Sequence, residues 1–85
     1  MHKFRVFKES NLNIAWLIID EGNINIETGI RLIYTFLDYN LNIVDKNAFI
    51  INGDDFAELG MSGKDTRIAI LELLCKTTNA ILVKE

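Results

Sequence analysis

The chain has no proline, one cysteine, one histidine and no long apolar run. Without proline, no position in the sequence forbids a helix. The single cysteine, Cys75, excludes an internal disulfide, so we interpret the chain as cytoplasmic. No run approaches the roughly 18 apolar residues that span a membrane, and the start shows no signal-peptide pattern. We therefore expect no membrane partner.

Residue types that carry out chemistry are equally scarce. His2 and Cys75 are too few for a zinc site or for a nucleophile with its base and orienting group. The phosphate-binding patterns G-x-x-x-x-G-K-[ST] and G-x-G-x-x-G are absent. Asp54, Asp55 and Glu58 suggest a magnesium site, but acidic residues at a helix start are better explained by the helix dipole. The sequence predicts no catalytic residue, no metal site and no cofactor.

What is present indicates one small domain over residues 1–85. Hydrophobic residues make up 49% of the chain and charged residues 25%, which predicts a packed core instead of disorder. The net charge of −3 argues against a strong nucleic-acid binder acting alone. A basic N-terminal arm is the exception, and its aromatic residues are expected to dock on the core. A phosphate-contacting arm is the alternative, with Lys3, Arg5 and Lys8 as the contacts.

The first half of the chain is predicted to be helical. Residues 14–19 are apolar throughout, so periodicity alone cannot separate a buried helix from a short strand. We favour a helix, because Ser10 is a capping residue and residues 20–22 are typical of a helix end. The pattern of residues 26–39 predicts a second helix, with a polar stripe opposite an apolar face. Asn40 is expected to end this helix by adopting the left-handed conformation. The polar stripe consists of Glu27, Arg31, Thr35 and Asp38.

The rest of the chain is organised around residues 50–74, which indicate a short helix, a glycine corner and a longer helix. Asn52 is predicted to cap the first helix by accepting an N–H near Asp55. Gly60 suits the left-handed position just beyond that helix. Ser62 and Asp65 have the spacing of a capping box for the second helix. Together with the first half, this predicts an all-α fold, a bundle of four or five short helices.

Residues 51–60 read INGDDFAELG, and Gly63, Ile70, Leu71 and Leu74 follow at set spacings. This pattern resembles the C-terminal tail of bacterial tRNA nucleotidyltransferases, the CCA-adding enzymes and their poly(A) polymerase relatives. The tail-like segment covers residues 45–78, although Phe56 replaces a leucine and Ala69 replaces a glycine. The resemblance implies a tRNA-binding tail domain that acts in tRNA processing and does not add CCA alone.

One candidate site follows from the start of the last predicted helix. Free N–H groups at a helix N-terminus, together with nearby cations, can hold a phosphate. The candidate RNA-backbone contacts are Gly63, Lys64 and Arg67, with tRNA as partner.

A second resemblance leads to a different function. Arg67, Ile70 and Leu71 also match the spacing from Gly60 that is found in sterile alpha motif domains. That resemblance implies a protein–protein interaction module, with a protein partner or self-association.

Overall fold

A computed structural model describes residues 2–20, 24–25, 29–61 and 65–84. The described residues form mostly strands, so the predicted all-α bundle is wrong. Only two helices are present in these ranges, and both lie in the second half of the chain. In chain order the elements are β1 (His2–Lys8), β2 (Ile14–Asp20), β3 (Ile24–Asn25), β4 (Gly29–Asp38), β5 (Ile43–Ile51), α1 (Gly53–Met61), α2 (Thr66–Thr78) and β6 (Ala80–Leu82).

The strands form one antiparallel sheet. β1, β2, β4 and β5 pair in chain order, and β6 returns after the helices to pair with β1. The sheet therefore runs β5-β4-β2-β1-β6, with β5 and β6 at its two edges. β3 pairs with the first residues of β4, on the side away from β5.

The apolar run at residues 14–19 forms strand β2 and not the predicted helix. Leu17 lies opposite Phe4 on one side and Phe36 on the other, so β2 is a central strand. Ile18 and Ile19 are β-branched, and such side chains fit a pleated sheet better than a helix. Residues 14–19 are enough for a short helix or for a strand. Pairing with β1 and β4 decides that they form a strand.

Residues 29–38 form β4, so the predicted helix over residues 26–39 is wrong as well. Glu27, Arg31 and Thr35 of its predicted polar stripe are spaced by four, which places them on one face of a helix but also on one face of a strand. Asp38, three residues after Thr35, falls on the opposite face of the strand. Arg31 and Thr35 lie on the same face of β4 by this alternation. Residues 26–28 lie outside the described ranges. Asn40 does not adopt the predicted left-handed conformation; its neighbour Leu41 does, with φ 66°.

The core lies between the helices and one face of the sheet. Leu17, Phe36 and Leu74 are fully buried at its centre. Leu74 belongs to α2, which also contributes Leu71 and Cys75 to the buried cluster. α1 contributes side chains that pack against the cluster from its edge, namely Phe56 and Leu59.

The helix ends partly follow the sequence-based predictions. The predicted cap of α1 is confirmed, since the Asp55 N–H donates to Asn52 Oδ1 at 2.8 Å. α1 continues through Gly60 to Met61, so Gly60 is not a left-handed residue beyond the helix end. α2 begins at Thr66 and is capped by Asp65, whose Oδ1 accepts the Arg67 N–H at 2.9 Å. The predicted cap Ser62 lies outside the described residues.

The turn between β4 and β5 is held together by one carboxylate. Asp38 Oδ1 accepts the backbone N–H groups of Asn42 at 2.8 Å and of Asn40 at 2.9 Å. The bond from the Asn42 N–H is the main reason that the pKa of Asp38 lies below its ordinary value of 3.8. These bonds hold Leu41 in a conformation that few residues other than glycine and asparagine adopt.

We expect Gly29→Ala to lower the free energy of unfolding by at least about 2 kcal/mol. Gly29 has φ 97°, and an added Cβ would overlap the backbone of Ile51 and Asn52. Urea unfolding of both proteins measures the difference. Gly53→Ala is the matched control, because Gly53 lies in the first turn of α1 and its change should stay within about 1 kcal/mol. Equal stabilities of Gly29→Ala and the wild type would contradict the close backbone approach at Gly29.

We expect the Asp38 turn to lose stability in acid. A carboxyl group whose pKa is lower when folded stabilises the protein above its unfolded pKa, and this contribution disappears as the pH falls through the folded value. Between about pH 5 and about pH 3, the wild type should therefore lose more stability than Asp38→Asn. Thermal unfolding at both pH values tests this, with Asp20→Asn as the control for removing an exposed carboxylate. An identical acid dependence in wild type and Asp38→Asn would contradict it.

Candidate functional site

The two faces of the sheet differ in what covers them. Side chains alternate between the faces along each strand, and directly paired residues share a face. Leu17, Phe36 and Val6 belong to the buried cluster that the helices cover. The residues between them in sequence point to the other face. In the described part of the chain, no helix residue clusters with that second face.

We call this second face the open face. Its register aligns Arg5 with Trp16, Trp16 with Leu37, and Leu37 with Ile43 in one row across four strands. The neighbouring rows follow from the same pairings. The side chains of the open face are Lys3, Arg5, Phe7, Trp16, Ile18, Asp20, Arg31, Ile33, Thr35, Leu37, Ile43, Lys46, Ala48, Ile50 and Ile81.

Large apolar side chains are exposed on the outer strands of the open face, whereas on its central strands Leu37 is buried and Trp16, Ile18 and Ile33 are half-buried. Ile43, Ile50 and Ile81 have 65%, 68% and 59% of their surface accessible, and Phe7 has 41%. A scattered exposed apolar residue is normal, but these lie on one continuous surface with Trp16 at its centre. The open face is therefore more apolar than a face that only contacts water.

The sequences of the central strands also bear on whether the open face is covered. Strands with one face in water alternate apolar and polar residues, whereas strands covered on both faces form near-continuous apolar runs. β2 reads IAWLIID and β4 reads GIRLIYTFLD. β2 is typical of a strand with cover on each face, whereas β4 carries Arg31 and Thr35 on its open face. The helices of the described chain cover only the other face of both strands.

The charges on the open face oppose the charge of the whole chain. The chain has 12 acidic and nine basic residues, for a net charge of −3. The open face carries a single carboxylate, that of Asp20. Against it stand four cationic side chains, those of Lys3, Arg5, Arg31 and Lys46. The structure therefore separates a basic apolar face from an otherwise acidic molecule.

Two of these cations contact the aromatic residues of the open face. Lys3 Nζ lies 4.2 Å from the ring centre of Trp16. Arg5 Cζ lies 5.1 Å from the same ring and 5.0 Å from the ring of Tyr39. Such cation–π contacts hold the charges above the rings and leave their N–H donors free to bind an anion. The arrangement places oriented positive charge directly beside apolar surface.

Most of the predicted RNA site lies outside the described part of the chain. Gly63 and Lys64 lie outside the described residues. Arg67, predicted as a cation beside the free N–H groups, is exposed on α2, and its backbone N–H donates to Asp65 Oδ1 at 2.9 Å. The basic arm is strand β1: Lys3 and Arg5 lie on the open face, while Lys8 lies on the helix-covered side, 4.9 Å from the ring of Phe36.

The described residues contain no group of His, Cys, Asp and Glu side chains arranged to hold a metal ion. Cys75 is buried in the core, and this burial raises the pKa of its thiol. A protonated, buried thiol is a poor nucleophile. Within the described ranges, chemistry at a metal or at this cysteine therefore has no structural basis.

Sequence reasoning missed the open face because it predicted helices for the segments of β2 and β4 and treated β1 as an arm without regular structure. One local signal was available. In β1, Lys3, Arg5 and Phe7 alternate with Phe4 and Val6, which is the period of a strand. That alternation separates a basic side from an apolar side within six residues.

No helix in the described ranges is long and apolar enough to cross a membrane. Comparison with protein families, with curated proteins and with solved structures found no match. The resemblance of residues 45–78 is therefore neither supported nor refuted by a relative. The fold does contradict the functions drawn from it, because a tRNA nucleotidyltransferase tail and a sterile alpha motif are helical, whereas this chain is mainly an antiparallel sheet.

Proposed function

We propose that the protein is a docking module whose open face binds an acidic, amphipathic segment of a protein partner. The single observation that carries this proposal is that the central strand β2 has the sequence of a doubly covered strand while no helix covers its open face in the described chain. A third layer supplied by a partner accounts for that mismatch. A helix with an apolar stripe is the element that most commonly covers a sheet face.

The charges of the open face support an acidic partner. Four cationic side chains surround the apolar centre, and one carboxylate, Asp20, faces them. Complementary charges at the rim of an interface steer the encounter and fix its register. Arg5 is the best placed of the four, because Trp16 and Tyr39 hold its guanidinium in place. A held guanidinium binds a carboxylate through two parallel hydrogen bonds.

Two other occupants fit the open face less well. A second copy of the chain, packed face to face, would bring like charges together, since both faces are cationic. Single-stranded nucleic acid would match the cations and the rings of Trp16 and Tyr39. However, the remaining large side chains are aliphatic and offer no stacking surface, and the acidic molecule as a whole repels phosphates. The apolar content of the face favours a protein partner.

Two designed peptides test this proposal. One is a helical peptide with a leucine stripe flanked by glutamates, and the other has the same stripe flanked by lysines. Trp16 is the only tryptophan, so its fluorescence reports directly on the open face. We expect saturable binding of the glutamate peptide, weaker at high salt, and no binding of the lysine peptide.

Charge reversal on the open face should weaken that binding. Lys3→Glu combined with Arg5→Glu should reduce the affinity for the glutamate peptide by about 5- to 30-fold, through loss of two partly exposed ion pairs. Lys76→Glu is the matched control, because Lys76 is exposed on α2, on the opposite side of the sheet. Its affinity should equal that of the wild type. Equal affinity of both variants, or a Trp16 response to oligo-dT but not to the glutamate peptide, would overturn the proposal.

A further inference from the structure

The two edges of the sheet are protected to different extents. An edge strand offers unpaired N–H and C=O groups to any other strand, and proteins protect such edges by keeping them short or by using proline. At one edge, β6 has only three residues. At the other edge, β5 has nine residues, no proline, and β4 as its one pairing partner within the described ranges. Charged side chains and bulges also protect an edge, and β5 has the charges of Asp45 and Lys46 and a bulge at Val44, so its free stretch is the part that follows Lys46.

β5 is also exposed on both of its faces. On the open face, Ile43 and Ile50 are 65% and 68% accessible. On the opposite face, Asp45 and Asn47 are exposed, because the helix layer ends before it reaches them. Only Ile51, at the last position of the strand, is buried. This strand is thus held mainly by its pairing with β4.

Beyond the bulge at Val44, residues 45–49 of β5 can pair antiparallel with a second copy of themselves, centred on Asn47 and with Asp45 opposite Phe49. Such a pair places Asn47 of one copy opposite Asn47 of the other, where two side-chain amides can exchange hydrogen bonds. Lys46 then faces Ala48. No like charges lie directly opposite each other in this register, whereas a shift that centres the pair on Asp45 or Lys46 creates such a clash.

We propose that β5 is the contact between two copies of this chain, which pair their β5 strands antiparallel about Asn47. A two-fold axis perpendicular to the sheet relates the copies, so residue 46 of each faces residue 48 of the other. The result is one sheet of twelve strands, six from each copy, in which the two open faces become a single continuous surface. This contact uses the sheet edge, so it is independent of what binds the open face.

Sedimentation equilibrium of the purified chain tests the association. The weight-average mass should rise from that of a monomer towards twice that value between about 10 µM and about 1 mM, since an edge contact alone is smaller than a stable interface. Amide hydrogen exchange, measured at the same concentrations, should slow in β5 and stay unchanged in β6.

Charge substitutions at Ala48 test the register. Ala48 is exposed, and each dimer would contain two contacts between residues 46 and 48. Ala48→Glu should strengthen association and Ala48→Lys should weaken it, each by roughly 2- to 30-fold, because Lys46 of the other copy lies opposite. Lys46→Glu combined with Ala48→Lys should restore it. Melting curves of all three variants confirm that the monomer fold is intact.

Two results would overturn this inference. A chain that stays monomeric at about 1 mM has no such contact. A dimer that responds in the same direction to Ala48→Glu and to Ala48→Lys, or is not restored by the charge swap, pairs through another surface or another register.

Discussion

The packing of α2 against the centre of the sheet is the contact on which the rest of the structure depends. Leu74 meets the cluster that contains Leu17 and Phe36, and all three side chains are fully buried. This contact places the helix layer on one face, and it brings β6 back to pair with β1 directly after α2. A chain of 85 residues has a large surface for its volume, and its two short helices suffice to cover one face of the sheet.

Because the helices of the described chain cover only one face of the sheet, the open face is left without a helix layer. Its apolar side chains are partly shielded by the cations beside them, as Lys3 and Arg5 show above Trp16. Long basic side chains can lay their methylene stems on apolar surface and keep their charge in water. The same contacts hold the guanidinium of Arg5 ready for a carboxylate. One arrangement thus suits both the free protein in water and the complex that we propose.

The residues of the open face are ordinary in the sequence and become a site only through pairing. Arg5, Trp16, Leu37 and Ile43 come from four strands and meet in one row. Sequence reasoning noted the basic residues near the start but connected them to a phosphate-binding helix end around residue 64. No local pattern joins Trp16 to Ile43, because 26 intervening residues separate them in the chain and the link between them is β4. The function drawn from residues 51–74 failed for a related reason: a short helical motif does not specify the larger fold around it.

The sequence by itself determined the features whose partners are close in the chain. Asn52 caps α1 through an N–H three residues away, and the last long helix was placed correctly over most of its length. Only the tertiary structure decided that residues 14–20 and 29–38 are strands. Helical hydrogen bonds join residues four apart, so local sequence influences them strongly. The hydrogen bonds of β2 and β4 join residues distant in sequence, and polar residues spaced by four satisfy both periods equally. The choice therefore depended on which neighbours were available to pair, and that information does not lie within either segment.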